Sequence, residues 1–262
     1  MGTEQHLIQD KIQLPAKNPR ISRPRLVKLL TENLSSANAT IINGRAGTGK
    51  TVLAADFAHH AGRAVAWYKV DATDSDLGLF CEYLVTAVLV QRPAISAGQL
   101  LRLGEVVEIG GAELLADAFV FQLDATKGDP LLIVIEDLHL VYDADWVVPF
   151  FRRWLPLLPP DVHVLITCRS LPPNPLWRLR SKQMLRVVEE AELAFTLDEA
   201  IALFESEGLS HEHARVAWAQ THGKVAAISD FATLPVRAGA AGGNKPLLLR
   251  PARFSRAPDL RS

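Results

Sequence analysis

The sequence predicts an α/β fold in which helices cover both faces of a parallel sheet. Runs rich in β-branched and aliphatic residues predict strands at 39–43, 65–70, 131–136 and 162–168, with a weaker one near 185–189. Segments with helical periodicity lie between them, at 50–61, 76–91, 112–124 and 145–157. Because buried apolar strands that alternate with helices pair in parallel, this order predicts a three-layer sandwich.

The composition fits one ordinary globular domain with a small appendage. The chain has 262 residues, of which 48% are hydrophobic and 22% charged, and its formal net charge is -1. Such a charge provides no global field toward DNA or a membrane surface. Cys81 and Cys168 form no C-x-x-C pair, which argues against a disulfide framework or a zinc site. The polar N-terminus and the short apolar runs predict a soluble cytoplasmic protein without a membrane span.

Four segments of different character follow one another. Residues 1–38 are a basic lead-in with one helical pattern, and residues 39–190 form the α/β body. Residues 191–233 predict a small helical lid. Residues 234–262 hold four prolines and six basic residues against one acid, which predicts a disordered basic tail.

Within the lid, two helices are predicted from their capping residues. The sequence Thr196-Leu197-Asp198-Glu199 is a capping box that opens a helix to about Glu207. Ser210 caps a second helix that runs to His222, and Gly223 ends it. Residues 92–111 contain scattered glycines without a clear period and are predicted to be irregular.

The loop NGRAGTGKT at residues 43–51 joins the first predicted strand to a predicted helix. In the pattern G-x-x-x-x-G-K-T, glycines let backbone N–H groups turn toward phosphates, and the helix N-terminus adds partial positive charge. Lys50 is expected to reach the β- and γ-phosphates, and Thr51 to offer its hydroxyl to Mg²⁺. The predicted phosphate-binding residues are Gly44, Arg45, Ala46, Gly47, Thr48, Gly49, Lys50 and Thr51. A Gly-rich turn that merely joins strand to helix is the alternative.

Polar side chains also leave two later strands at their carboxyl ends. Glu136 and Asp137 follow the apolar run LLIVI, where a P-loop ATPase holds Mg²⁺ and orients the attacking water. Thr51 and Glu136 are the predicted metal ligands, and a solvated strand end is the alternative. Thr167 and Arg169 follow the next strand, where a hydroxyl senses a γ-phosphate and a guanidinium stabilises its charge. The predicted catalytic residues are Lys50, Glu136, Asp137 and Arg169.

These motifs in this order resemble the nucleotide-binding domain of STAND ATPases, in particular the MalT-like large ATP-binding LuxR-type regulators. The resemblance covers residues 11–228 and rests on NGRAGTGKT, AWYKVDATDSDLGLFCEYLVTAV, LLIVIEDLHLV, ITCRSLP and LAFTLDEAIALF. It implies the sheet order 5-1-4-3-2, with the arginine-bearing strand between the P-loop strand and the acidic strand. It also implies an acidic pair at Glu136 and Asp137, a sensor at Arg169, and ATP or ADP with Mg²⁺ as ligands.

The same resemblance assigns the segment ISRPRL at residues 21–26, including Arg23, to the side of the adenine. Trp67 and Asp71 match the strand-two signature of the family, although a core position suits Trp67 first. Two departures stand out: the family has Asp where this chain has Glu136, and Gly-Trp or Gly-x-Pro where it has Gly223-Lys224-Val225. No sensor or DNA-binding domain follows in the sequence, so a truncated regulator is one expectation.

Other functions fit the residues less well. The stretch from Thr196 to Gln220 resembles a helix-turn-helix, but its second helix offers few basic residues, so a lid is favoured over direct DNA binding. His211 and His213 lack a third metal ligand, and His139 is interpreted either as a core residue or as a contact of the site. No N-K-x-D loop follows the acidic strand, which favours ATP over GTP. The expected functions are a slow Mg²⁺-dependent regulatory ATPase or, alternatively, a non-hydrolysing nucleotide-dependent scaffold or a regulator fragment, with self-association or a protein partner left open.

Overall fold

A computed structural model describes residues 8–16, 20–105 and 111–233. Its centre is a five-stranded sheet in the order β2-β3-β4-β1-β5, and every neighbouring pair is parallel. The strands are β1 (Ala39–Asn43), β2 (Ala64–Lys69), β3 (Leu131–Glu136), β4 (Val162–Cys168) and β5 (Leu185–Val188). The predicted parallel sheet and the order implied by the resemblance are therefore confirmed.

Eleven helices accompany the sheet in the described residues. They are α1 (Pro24–Ser36), α2 (Lys50–His60), α3 (Leu77–Gln91), α4 (Ala97–Glu105), α5 (Gly111–Ala125), α6 (Val147–Trp154), α7 (Asn174–Ser181), α8 (Glu190–Leu193), α9 (Leu197–Ser206), α10 (His211–Thr221) and α11 (Val225–Thr233). Single 3₁₀ turns lie at Gln9–Lys11, Ala72–Ser75, Leu138–Val141 and Leu155–Leu157. The helix predicted at 145–157 thus begins two residues later and ends as one of these turns.

The irregular segment predicted at 92–111 is wrong at residues 97–105, because α4 lies there. The helix packs against both α3 and α5, and Leu100 on it is fully buried. Gly98 obscures the apolar period in the sequence, and tertiary packing overrides its low helix propensity. The helices α7 and α11 were also not predicted from the sequence.

The sheet separates two apolar cores because successive side chains of each strand face opposite sides. Along β3, Ile133 and Ile135 belong to the core under α3, α5 and α6. Leu132 and Val134 belong to the other core, under α1 and α2, together with Trp67. Trp67 is 1% exposed, as its interpretation as a core residue requires.

The lid has a third, separate cluster formed by α9, α10 and α11, with Phe195, Leu203 and Ile228 among its buried members. The predicted caps are present, since Thr196 and Glu199 form a capping box and the Ser210 hydroxyl accepts from the backbone N–H of His213. Gly223 adopts a left-handed φ of 77°, and a Cβ there would lie 2.4 Å from the Phe195 carbonyl oxygen. The glycine therefore permits the return of the chain against Phe195.

The N-terminal lead-in forms ion pairs with the body of the chain. In the lead-in, the Lys11 ammonium is buried and lies 2.7 Å from carboxylate oxygens of both Asp71 and Asp74, so Asp71 holds the lead-in against the body. The tail predicted at 234–262 lies outside the described residues. Within the described segments, no helix combines the length and the apolar character needed to cross a membrane.

Candidate functional site

The loop between β1 and α2 wraps around the ammonium of Lys50. Gly47 and Gly49 have φ values of 78° and 80°, which L-residues with a Cβ rarely adopt. The Lys50 ammonium donates to the carbonyl oxygens of Gly44 at 2.6 Å and Arg45 at 2.9 Å. Burial lowers the pKa of Lys50, and the nearby Asp137 carboxylate opposes that shift. A cation is thus held inside a backbone loop at the N-terminus of a helix.

The acids predicted at the end of β3 reach this loop. Glu136 is 2% exposed, and its carboxylate accepts a hydrogen bond from the Thr51 hydroxyl. Asp137 adopts a left-handed backbone with φ 58°, and its backbone N–H donates to the Thr167 hydroxyl at 3.0 Å. The three strands β1, β3 and β4 therefore deliver their polar ends to one place, because the carboxyl ends of parallel strands share one edge of the sheet.

Arg169 and His139 lie beside Asp137. Arg169 is half exposed, and its Nε lies 3.8 Å from Asp137 Oδ1. His139 Nδ1 lies 3.7 Å from the same oxygen, and the His139 side chain is 12% exposed. Burial lowers the pKa of His139, which favours the neutral imidazole. Of the two interpretations of His139 from sequence, its position agrees with a contact of the site.

The donors at this edge fit a hard divalent cation. Thr51 and Glu136 offer a hydroxyl and a carboxylate oxygen, which are ligand types that Mg²⁺ accepts. Among the residues that the structure describes, no cluster of three or more His, Cys, Asp or Glu side chains is arranged to hold a metal. Mg²⁺ keeps several waters and is commonly shared with substrate phosphates, so two protein ligands suffice for it.

A pocket of about 380 Å³ lies beside the loop. Its walls come from the lead-in, the first turns of α2, and the lid. Arg23 lines it, but its guanidinium donates to the carbonyl oxygens of Leu193 and Ala194 and to the Glu199 carboxylate, each at 2.9 Å. The guanidinium also lies over the Phe195 ring, with 4.6 Å to the centroid. Arg23 therefore joins the lead-in to the lid and forms part of the pocket wall. The hydrogen bonds of its guanidinium go to other protein groups.

The start of α11 packs on the loop at residues 44–51, a contact that the sequence did not predict. A Cβ on Gly49 would lie 3.3 Å from Val225 Cγ1, and a Cβ on Gly47 would lie 3.0 Å from Ala226 Cβ. Val225 and Ala226 therefore make close contacts with the loop. No sequence motif predicts this contact, because the contact joins residues that are far apart in the chain.

Glu190 is another partner of the loop that sequence reasoning missed. Its carboxylate accepts from the backbone N–H of Arg45 at 2.9 Å and from the Arg45 guanidinium at 2.6 Å. These hydrogen bonds lower the pKa of Glu190. Glu190 begins α8, directly after β5, so the edge strand next to β1 also supports the loop.

The arrangement is shared with a known class of proteins. The structure matches that of the Walker-type ATPase PABY2304 of Pyrococcus abyssi with a TM-score of 0.51 at 10% sequence identity. The match covers 80% of this chain and 66% of that one. Together with the strand order and the loop at residues 44–51, it identifies the fold as that of a P-loop ATPase.

Sequence similarity is more specific. The chain is 31% identical over 206 residues to the HTH-type transcriptional regulator MalT of Serratia proteamaculans, and 30% identical over 206 residues to MalT of Yersinia enterocolitica. Both matches cover 76% of this chain and 22% of the relative, so the chain spans about a fifth of the length of these curated regulators. No family model matches the chain. Over the shared region, the chain is a homologue of the MalT regulators.

Proposed function

We propose that this chain binds ATP with Mg²⁺ at residues 44–51 and acts as the nucleotide-dependent switch of a regulatory ATPase. The observation that carries the proposal is the convergence of Lys50, Thr51, Glu136, Asp137 and Arg169 at one edge of the sheet. An isolated Gly-rich turn has no need of a buried lysine, a buried acid and an arginine at the same place. The homology to MalT regulators supports the regulatory part of the proposal.

Each residue has a role that its position supports. The Lys50 ammonium, which lies within the loop next to its carbonyl oxygens, binds the β- and γ-phosphates. Thr51 and Glu136 hold Mg²⁺, which when bound neutralises charge on the phosphates. Asp137 orients the attacking water, and Arg169 stabilises charge that develops on the γ-phosphate. Thr167 fixes the backbone of Asp137.

The lid couples occupancy of the site to the rest of the chain in this proposal. Residues 39–190 form the catalytic body, residues 191–233 the lid, and the lead-in lies beside the base. Val225 and Ala226 lie against the loop, and Arg23 ties the lead-in to α9 through Glu199. A ligand that extends from the loop into the adjacent pocket would contact all three parts of the chain at once.

A non-hydrolysing scaffold is the second candidate, and Glu136 is the observation that favours it. The longer side chain, which stands where the resembling family has Asp, bonds directly to the Thr51 hydroxyl. Such a pair can hold nucleotide and Mg²⁺ without promoting fast turnover.

Calorimetric titration with ATP, ADP and GTP in the presence of Mg²⁺ tests the proposal. The wild-type chain should bind ATP and ADP and prefer them to GTP. Lys50→Ala should weaken ATP binding by about a hundredfold, because a charge-assisted contact to two phosphates is lost. Lys28→Ala is the matched control, since that side chain is 80% exposed, and its binding should equal that of the wild type. Equal ATP affinity in both variants would refute the proposed site.

A further inference from the structure

Asp56 is a buried carboxylate on the wall of the pocket beside the loop. It lies on α2 and is 3% exposed. The same pocket is lined by apolar side chains, such as Ile21, Leu53 and Phe195, and by charged ones, namely Arg20, Arg23 and Asp230. Because burial of a carboxylate is costly unless hydrogen bonds compensate, its place among these side chains calls for a partner.

The two oxygens of this carboxylate are in different situations. The Ser22 hydroxyl, from the lead-in, donates to Oδ2 at 2.8 Å. Oδ1 is buried and has no hydrogen-bond partner among the described residues. His60 Nδ1 lies 3.3 Å from Oδ1 and closer, at 2.7 Å, to the main-chain oxygen of Asp56. One oxygen is therefore held by the protein and the other can accept one strong hydrogen bond.

The position of Asp56 relative to the loop suits the base of a nucleotide. Asp56 is six residues after Lys50 on α2, which at 1.5 Å per residue places it roughly 9 Å along the helix. Gly49, Val52 and Leu53 line the same pocket between the two positions. A nucleotide with its phosphates in the loop thus has its base at the end of the pocket where Asp56 lies.

The geometry points to Asp56 as the residue that selects the base, by accepting a hydrogen bond from the exocyclic amino group of adenine. This inference rests on the proposed function, since it assumes that phosphates occupy the loop. Guanine presents two adjacent donors, N1–H and the 2-amino group, which suit both oxygens of a carboxylate. In this inference the Ser22 hydroxyl, bonded to Oδ2, competes with one of those two donors. Hypoxanthine presents a carbonyl oxygen where adenine has its amino group, and that oxygen would face the Asp56 carboxylate. We therefore expect the site to bind guanine and hypoxanthine more weakly than adenine.

Titration of ATP and inosine triphosphate with Mg²⁺ tests this selection. The wild-type chain should bind ATP roughly ten- to a hundredfold more tightly, as expected for one hydrogen bond to a charged group. Asp56→Asn should reduce that ratio to near one, because an amide can donate to the hypoxanthine oxygen. Asp230→Asn is the matched control: Asp230 lines the same pocket but is exposed, and its ratio should stay that of the wild type. An unchanged ratio in Asp56→Asn, or an equal change in both variants, would overturn the inference.

Ser22→Ala supplies a second test that leaves Asp56 in place. Loss of the hydroxyl removes the donor that competes at Oδ2, so the affinity for GTP relative to ATP should rise severalfold. A GTP/ATP ratio equal to that of the wild type contradicts the inference, even where Asp56→Asn does not fold. A wild-type chain that binds no nucleotide refutes the proposed function, and the inference falls with it. Normal ATP binding with both ratios unchanged refutes the inference alone.

Discussion

The body and the lid contribute to the candidate site in different ways. In the body, Lys50 and Thr51 come from one strand–loop–helix unit, and Glu136 and Asp137 follow a single buried strand. In the lid, Val225 and Ala226 reach the loop because α11 packs there, with its own core formed by α9 and α10. The comparison teaches that the loop at residues 44–51 is encoded by a short motif, while the packing of α11 on it depends on contacts between distant parts of the chain.

The largest effect should follow a change in the body that leaves the lid untouched. Asp137→Ala should lower the rate of phosphate release from ATP by about 10²–10⁴-fold, because a residue that orients the attacking water is lost. ATP affinity should stay within severalfold of the wild type. Release of inorganic phosphate in single-turnover experiments provides the measurement. A wild-type chain that binds ATP but never releases phosphate would instead favour the scaffold function.

A change at the turn between α10 and α11 should disturb the lid. Gly223→Ala places a Cβ 2.4 Å from the Phe195 carbonyl oxygen at a φ of 77°, and should lower the free energy of unfolding by about 2–4 kcal/mol. Gly208→Ala is the control, since Gly208 has a φ of 72° with open space around it, and should cost about 1–2 kcal/mol. Urea denaturation followed by fluorescence measures both. Equal losses would show that the contact with Phe195 does not constrain the lid.

Acid should weaken the body through a buried histidine of β4. His163 is 2% exposed, its ring nitrogens lie 3.1 Å from the Thr40 hydroxyl and from the Ala37 carbonyl oxygen, and burial lowers its pKa to about 4. In the unfolded chain the His163 imidazole has a pKa of about 6.5. Between that pH and the lower pKa of the folded state, His163 is protonated mainly in the unfolded state. Stability should therefore fall by about 2 kcal/mol between pH 6.5 and 5.

Denaturation at several pH values checks this expectation. His163→Gln should flatten the part of the pH dependence that His163 contributes, whereas His211→Gln in the lid, whose side chain is exposed, should not. The same slope in His163→Gln as in the wild type would contradict the assignment.

The smallest effect should come from the ion pair that joins the edge of the sheet to the loop. Arg45 and Glu190 are both solvent-accessible, so their attraction is screened. Glu190→Gln should leave the thermal midpoint close to that of the wild type and change ATP affinity by less than about threefold. Differential scanning fluorimetry and calorimetry at low and high salt measure these effects. A large, salt-independent loss would mean that Glu190 supports the loop through its bond to the Arg45 backbone.

Much of the fold could be predicted because its signals are local. Each of the five strands is a short apolar run, and the predicted bounds of β1, β3 and β4 match the observed ones. α4 and α11 were not predicted, each for a physical reason. Gly98 interrupts the apolar periodicity of α4, and α11 is a short helix that packing stabilises. Arg23 illustrates the same limit in the site, since a sequence pattern does not reveal that its donors are directed to Leu193, Ala194 and Glu199.

The sequence by itself determined the parallel sheet, the glycine-rich loop at residues 44–51, and the polar ends of β3 and β4. It could do so because strand periodicity and glycine-rich turns act within a few residues. Tertiary structure alone decided that α11 covers the loop, that Glu190 braces it, and that Ser22 holds one oxygen of Asp56. Those contacts join residues separated by 34 to well over a hundred positions, so they form only when distant parts of the chain pack together.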